Sequence, residues 1–324
     1  VKLNLRLVAI VLLAAAFTLS APGCGKKAST RETTGKAPEK LFTIAFSNAT
    51  MDHPWRKALT KSIEDEAAKI PEFRLLVSDG NNQNAKQIDD VRNFITQKVD
   101  LLIVSPNESG PLTAPCEEAM DAGIPVILLD RSINSDKYLT LVGGDNIEIG
   151  RTAAKFVLDK LPKGAKIVEI QGTAGASATI ERHDGFMEIL SSHPDYGIIV
   201  SQDGDYKQPN ARTIMENTLQ AHKKIDCVYA HNDDMAFGAL HAAQDAGRAG
   251  EMIIIGVDGE QKAIDAVASG DLAATIIYPY WCGAEAVRAA KRVLLSGETL
   301  PKRIRMETPL VESTNVKSFL DKGF

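Results

Sequence analysis

The sequence predicts an α/β fold of two doubly wound parallel-sheet lobes joined by three crossing segments. Short apolar runs alternate with amphipathic stretches from residue 42 onward, which is the rhythm of parallel strands and their covering helices. The runs, among them "DLLIV", "PVILL" and "MIIIGV", are rich in Val, Ile and Leu and lack polar alternation, as do strands buried on both faces. About ten such runs are too many for one compact sheet of this kind.

In chain order the expected strands are "FTIAF", "RLLVS", "DLLIV", "PVILL" and "LTLVG", then "KIVEI", "GIIVS", "DCVYA", "MIIIGV" and "AATII". Helical periodicity fills most gaps, as in "AKQIDDVRNFITQKV" and "IEIGRTAAKFVLDKL". Pro54 suits the first turn of a helix through "WRKALTKSIEDEAAK". The rhythm breaks near Gly143-Gly144, where "PVILL" and "LTLVG" follow each other with no helix between them. It breaks again in "IIYPYWCG" and in "METPLVES". Three breaks predict three passages between lobes, one lobe taking 41–144 with 279–309 and the other 145–278 with 310–324.

Residues 1–23 are expected to be an export signal. Lys2 and Arg6 precede the apolar "LVAIVLLAAAFTL", which is too short to span a bilayer comfortably. Cys24 follows small residues as in a bacterial lipoprotein, although Ala21 stands where Leu is usual and Pro22 is unusual there. Cys24 is therefore expected to carry the lipid, with residues 24–40 as a polar tether. Without residues 1–23 the chain keeps 35 basic and 42 acidic side chains and no basic block, which argues against nucleic acid as a partner. Cys116, Cys227 and Cys282 are too few and too widely spaced for a disulfide framework and are expected as buried small hydrophobes.

Polar residues gather where the strands end. Ser47-Asn48, Asp130-Arg131, "HNDD" (231–234) and Asp258-Gly259 each close an apolar run. In open parallel sheets the crevice at the carboxyl ends of the strands takes the ligand. Asp130 only accepts hydrogen bonds and Arg131 only donates them, so together they suit a sugar hydroxyl, which does both; a structural ion pair is the duller alternative. In "HNDD", Asp233 or Asp234 is the expected helix N-cap, leaving Asn232 to face a ligand. Trp55 and Tyr206 offer stacking faces from opposite walls. Arg182, roughly two turns into the helix after a Gly-rich turn, either reaches back to the crevice or lies in solvent. His and Asp in "HNDD" do not converge as metal ligands, and no nucleotide-binding or hydrolase motif occurs, so no metal, cofactor or catalytic group is expected.

The blocks "FSNATMDHPWR", "LLDRSI", "EIQGTAGASATIERHDGF", "VYAHNDDM" and "GVDG" resemble the periplasmic sugar-binding proteins of ABC transporters. The type is the ribose-binding one, with most likeness to galactofuranose-binding proteins. The resemblance spans nearly all of residues 41–324 and implies the type I periplasmic binding fold, with the sugar clamped between the lobes. It implies ligand contacts at Ser47, Trp55, Arg56, Asp130, Arg131, Arg182, Tyr206, Asn232, Asp258 and Tyr278. Two departures stand out: Arg56 replaces a second aromatic, which points away from ribose, and Tyr278 occupies a position where ribose-type proteins carry an amide. The implied role is the substrate-binding component of a sugar importer. Such a protein is expected to be a monomer that meets an ABC permease, touches the membrane only through its anchor, and resides in the periplasm or on the outer cell surface. The alternative is a receptor that presents its sugar to a chemoreceptor or sensor kinase.

Overall fold

The computed structural model describes residues 40–324. The expected export signal, Cys24 and the tether up to residue 39 lie outside the described residues.

The expected strands form two sheets. The first contains β1 (Phe42–Asn48), β2 (Phe73–Asp79), β3 (Leu101–Ser105), β4 (Val126–Leu129) and β5 (Thr140–Gly144). The second contains β6 (Ala165–Gln171), β7 (Tyr196–Asp203), β8 (Cys227–Ala230), β9 (Ile253–Asp258) and β10 (Ala274–Ile277). Two further short strands, β11 (Arg303–Met306) and β12 (Leu310–Glu312), add to the edges and give the orders β2-β1-β3-β4-β5-β11 and β7-β6-β8-β9-β10-β12. Every pairing is parallel except β10 with β12. Both lobes thus share one doubly wound topology. The chain passes between them after β5, after β10 and between β11 and β12.

Among the described residues nine α-helices cover the sheets: α1 (Pro54–Ala67), α2 (Asn84–Thr96), α3 (Ser109–Asp121), α4 (Asn146–Lys160), α5 (Ser177–Leu190), α6 (Gln208–Ala221), α7 (Asp233–Asp245), α8 (Gln261–Ser269) and α9 (Cys282–Ser296). Strand periodicity sorts the core. Ile44, Ile103 and Ile127 face Leu59 and Ile63 of α1 and Val287 of α9. Their neighbours Ala45, Leu102 and Leu128 point the other way, to Val91 of α2 and Leu112 of α3. The second sheet repeats the scheme, with Ile167 and Tyr229 facing Phe186 of α5 and Val168 and Val228 facing Met215 of α6. Cys116, Cys227 and Cys282 are buried free thiols within these layers.

The Gly143-Gly144 pair also makes room. A Cβ on Gly143 would stand 2.9 Å from the Tyr278 hydroxyl oxygen, and one on Gly144 would stand 2.7 Å from Thr308 and 2.8 Å from the Tyr278 ring. The first passage between the lobes therefore has to be free of side chains so that Tyr278, at the start of the second passage, can lie against it.

Candidate functional site

The carboxyl ends of both sheets converge on one small cavity. From the first lobe it is lined by His53, Trp55, Arg56, Asp130 and Arg131. From the second come Ala178, Arg182, Tyr206 and Asp258, with Tyr278 at the second passage.

The local backbone aims these groups inward. Asp130 (φ 67°), Tyr206 (φ 59°) and Asp258 (φ 129°) all have positive φ. For non-glycine residues such a conformation costs about 1–3 kcal/mol and clusters at functional sites. Asp130 and Asp258 occupy equivalent places, at the end of the fourth strand of each lobe. Tyr206 needs Gly172 beneath it, where a Cβ would stand 2.0 Å from its ring.

Side-chain bonds then fix the charges. Arg56 donates through Nη2 to Asp130 Oδ2 at 2.7 Å and through Nη1 to Ser105 Oγ at 2.5 Å and Asn48 Oδ1 at 3.3 Å. Arg131 donates through Nη1 to the carbonyls of Asn107 (2.8 Å) and Pro106 (3.2 Å), with Nε 3.7 Å from Asp130 Oδ2. Arg182 donates through Nε to Asn146 Oδ1 at 3.0 Å and through Nη1 to the His231 carbonyl. It is buried, which decides between crevice and solvent. Each guanidinium also lies over an aromatic ring: Arg56 over Trp55 at 5.1 Å, Arg131 over Tyr206 at 5.3 Å, and Arg182 over Tyr278 at 5.1 Å. Trp55 Nε1 donates to the Tyr278 carbonyl at 2.9 Å, and the Tyr278 hydroxyl donates to the Asp130 carbonyl at 3.3 Å. Three ring–cation stacks are thereby tied to one another across the lobes.

Burial pushes Arg131 down to about 10, so it stays charged at neutral pH. Burial drives the Asp258 carboxyl well above the usual carboxylate range, against the pull of Arg182. His53 is held well below its ordinary value by burial and by Arg56, Arg131 and Lys207, so it is neutral. The Nε atoms of Arg56 and Arg131 and Nδ1 of His53 are buried with no hydrogen-bond partner among the described residues. What the arrangement can do is offer donors and acceptors together, beside apolar ring faces, to a small uncharged molecule.

Two expected positions lie elsewhere. Asn232 does not line the cavity. Its Oδ1 accepts from Met235 N at 2.9 Å, so it caps α7 itself, and its Nδ2 donates to the Tyr206 carbonyl at 3.3 Å. Asp233, expected as a cap, instead accepts from Gly259 N (2.8 Å), Glu260 N (2.9 Å) and Thr275 Oγ1 (2.7 Å). It anchors the loop that presents Asp258. His231 Nε2 lies 3.2 Å from Glu169 Oε1, and Asp234 accepts from Lys262 at 2.7 Å. Each of the four polar residues after β8 thus has partners of its own, and together they brace one wall. Ser47 is also outside the cavity, buried in β1; neighbouring residues of a strand face opposite sides, and Asn48 is the one that reaches Arg56. Sequence reading placed Asn48 and Ser105 among the strand-end polar residues but named neither as a contact, and it assigned no role to His53.

The chain matches the family described as periplasmic binding protein domain over residues 44–299. It is 39% identical to the ribose import binding protein of Bacillus subtilis (strain 168) over 267 residues, covering 82% of this chain and 86% of that protein. Its structure is similar to the fructose binding periplasmic domain of a hybrid two component system, with TM-score 0.82, 38% identity and coverage of 87% and 94%. It is likewise similar to a galactofuranose binding protein, with TM-score 0.83, 33% identity and coverage of 87% and 98%.

Two outcomes follow from the braced wall. Asn232→Ala removes an N-cap and is expected to cost about 1 kcal/mol of stability, read by urea unfolding; no change would mean that the cap is not formed. Burial raises the Glu260 carboxyl to about 7, with Asp234 adding to the rise. The folded state therefore holds this proton more tightly than the unfolded chain, and the contribution is full below the unfolded pKa of ~4.3 and lost as pH rises through about 7. Glu260→Gln should raise the melting temperature relative to the parent more at pH 8 than at pH 5, by at most roughly 3 kcal/mol of stability. An equal effect at both pH values would contradict this.

Proposed function

The chain belongs to the periplasmic binding protein family, among the sugar-binding proteins of ABC transporters of the ribose-binding type, and from that membership we propose how it takes its ligand. It is a binding protein, not an enzyme. Its role is the monosaccharide-binding component of an ABC importer. The sugar is neutral, galactofuranose-like, a single pentose or hexose ring held between the lobes. The observation that carries this is the cavity between the strand ends, lined by three stacked guanidiniums, two carboxyl groups and unpartnered Nε donors. Hydroxyls satisfy both kinds of group without adding charge. Trp55 and Tyr206 take the apolar C–H faces.

In this reading residues 41–144 with 279–309 close as a hinged body on residues 145–278 with 310–324. Closure buries the polar groups at little cost only when hydroxyls pair with them. A sugar lacking one hydroxyl leaves a buried partner unmet, at about 1–3 kcal/mol. Trp55, Arg56, Asp130, Arg131, Arg182, Tyr206, Asp258 and Tyr278 are the proposed contacts. Ser47 and Asn232 act from behind them. Cys24 carries the lipid that tethers the mature protein outside the cytoplasmic membrane, where it meets the permease. A second reading, presentation of the sugar to a sensor kinase, is favoured by the likeness to a binding domain of a hybrid two component system.

A thermal-shift panel of D-ribose, D-fructose, L-arabinose, D-galactose and a methyl galactofuranoside tests the proposal. A sugar present at ~100 times its dissociation constant adds ~2.7 kcal/mol of stability. Asp130→Asn keeps the shape and tolerates the left-handed backbone but removes the charge. It is expected to weaken that sugar's binding about tenfold or more while the protein stays folded. No stabilisation by any neutral sugar, or unchanged affinity in Asp130→Asn, would contradict the proposal.

A further inference from the structure

Away from the three passages, two hydrogen bonds among the described residues join the lobes outside the cavity. The amide of Ser109, first residue of α3, donates to the Gly175 carbonyl at 3.0 Å. The amide of Ser132, two residues beyond Asp130, donates to Oγ of Ser177, first residue of α5, at 2.8 Å. Ser109 Oγ donates to the Ser132 carbonyl at 2.9 Å and so braces the two bonds together. Ser109 and Ser177 are buried, and none of the four residues lines the cavity. The backbone of Gly175 fits against the opposite lobe: its φ is +76°, and a Cβ there would lie 3.0 Å from Glu108 Oε2. A third contact, Lys207 to Asp52 at 3.8 Å, has both side chains about two-fifths exposed and contributes little.

We propose that Ser109, Ser132, Gly175 and Ser177 form a latch that sets a fixed share of the affinity for every sugar. The proposal rests on the hinge-closing reading above. Opening the lobes returns both bonds to water, so each contributes only its net value to the closed state. That value corresponds to about fivefold in the equilibrium between closed and open. Because the ligand is held by the closed form, apparent affinity scales with the population of that form. These are positioning residues: they touch no sugar and cannot tell one sugar from another, whereas the cavity residues can.

The two bonds can be deleted separately. Ser177→Ala removes the acceptor from one. Ser109→Pro removes the donor from the other, at the first helical position, where proline is tolerated; the preceding Glu108 is already extended (φ −129°, ψ 146°), as a residue before proline requires. Ser109→Ala keeps the amide and controls for the lost hydroxyl.

The measurement is the release rate of two sugars that the parent binds, chosen from the panel above, by stopped-flow fluorescence on the mature chain. Ser177→Ala should release both about fivefold faster, by the same factor for each, and Ser109→Pro should exceed Ser109→Ala by a similar factor. Asp130→Asn should change the two sugars by different factors. Unchanged release from Ser177→Ala, or factors that differ between sugars, would overturn the latch while leaving the binding reading in place. A parent that binds none of the sugars would overturn the binding reading, and the latch with it.

Discussion

The buried ion pair of Arg56 and Asp130 is the contact on which the rest of the cavity depends. Two charges taken out of water cost several kcal/mol each, repaid only when the geometry is close and the remaining hydrogen-bonding positions are filled. Here the distance is 2.7 Å, Ser105 and Asn48 take the other Arg56 nitrogen, and Arg131 stands 3.7 Å from the same carboxylate oxygen. The Asp130 carbonyl meanwhile accepts from Tyr278, whose own carbonyl holds Trp55. Removing the Asp130 carboxylate would therefore leave the Arg56 guanidinium, and Arg131 Nε beside it, without their negative partner, while the backbone carbonyl that holds Tyr278 stays in place.

The second lobe answers with the same topology and a different electrostatic balance. Asp258 ends its strand where Asp130 follows its own, yet no arginine is bonded to it, and burial raises its carboxyl. Asp233 and its bonds to Gly259 and Glu260 hold that strand end in place. One wall thus pairs its carboxylate with arginine, while the other carries Arg182 and a separate Asp258, braced from behind by the polar residues after β8. A polyhydroxylated ligand, donor and acceptor at once, serves both.

Much of this was legible in the sequence because parallel strands buried on both faces leave long Val/Ile/Leu runs. The strands "RIRM" and "LVE" were not, being short edge strands, one of them alternating with charge. The cavity positions at the ends of β4 and β9 could be found because the carboxyl ends of parallel strands line the crevice. Asn232 could not be placed correctly. Which residue of "HNDD" caps the helix depends on amides at 259 and 260 that capture Asp233 from another loop, and no local pattern records that. Ser47 failed by one residue, where strand periodicity reverses the side chain's direction. His53 gave no signal beyond standing before Pro54.

The most direct test uses the chain's own tryptophans, Trp55 in the cavity and the exposed Trp281. With Trp281→Phe, Trp55 is the sole indole, and its emission can be followed while neutral monosaccharides and the anionic D-glucuronate are titrated. The account predicts a saturable change with at least one neutral sugar and a weaker response to glucuronate. A response to glucuronate alone, or none to any neutral sugar, would contradict a cavity built for an uncharged polyhydroxylated ring.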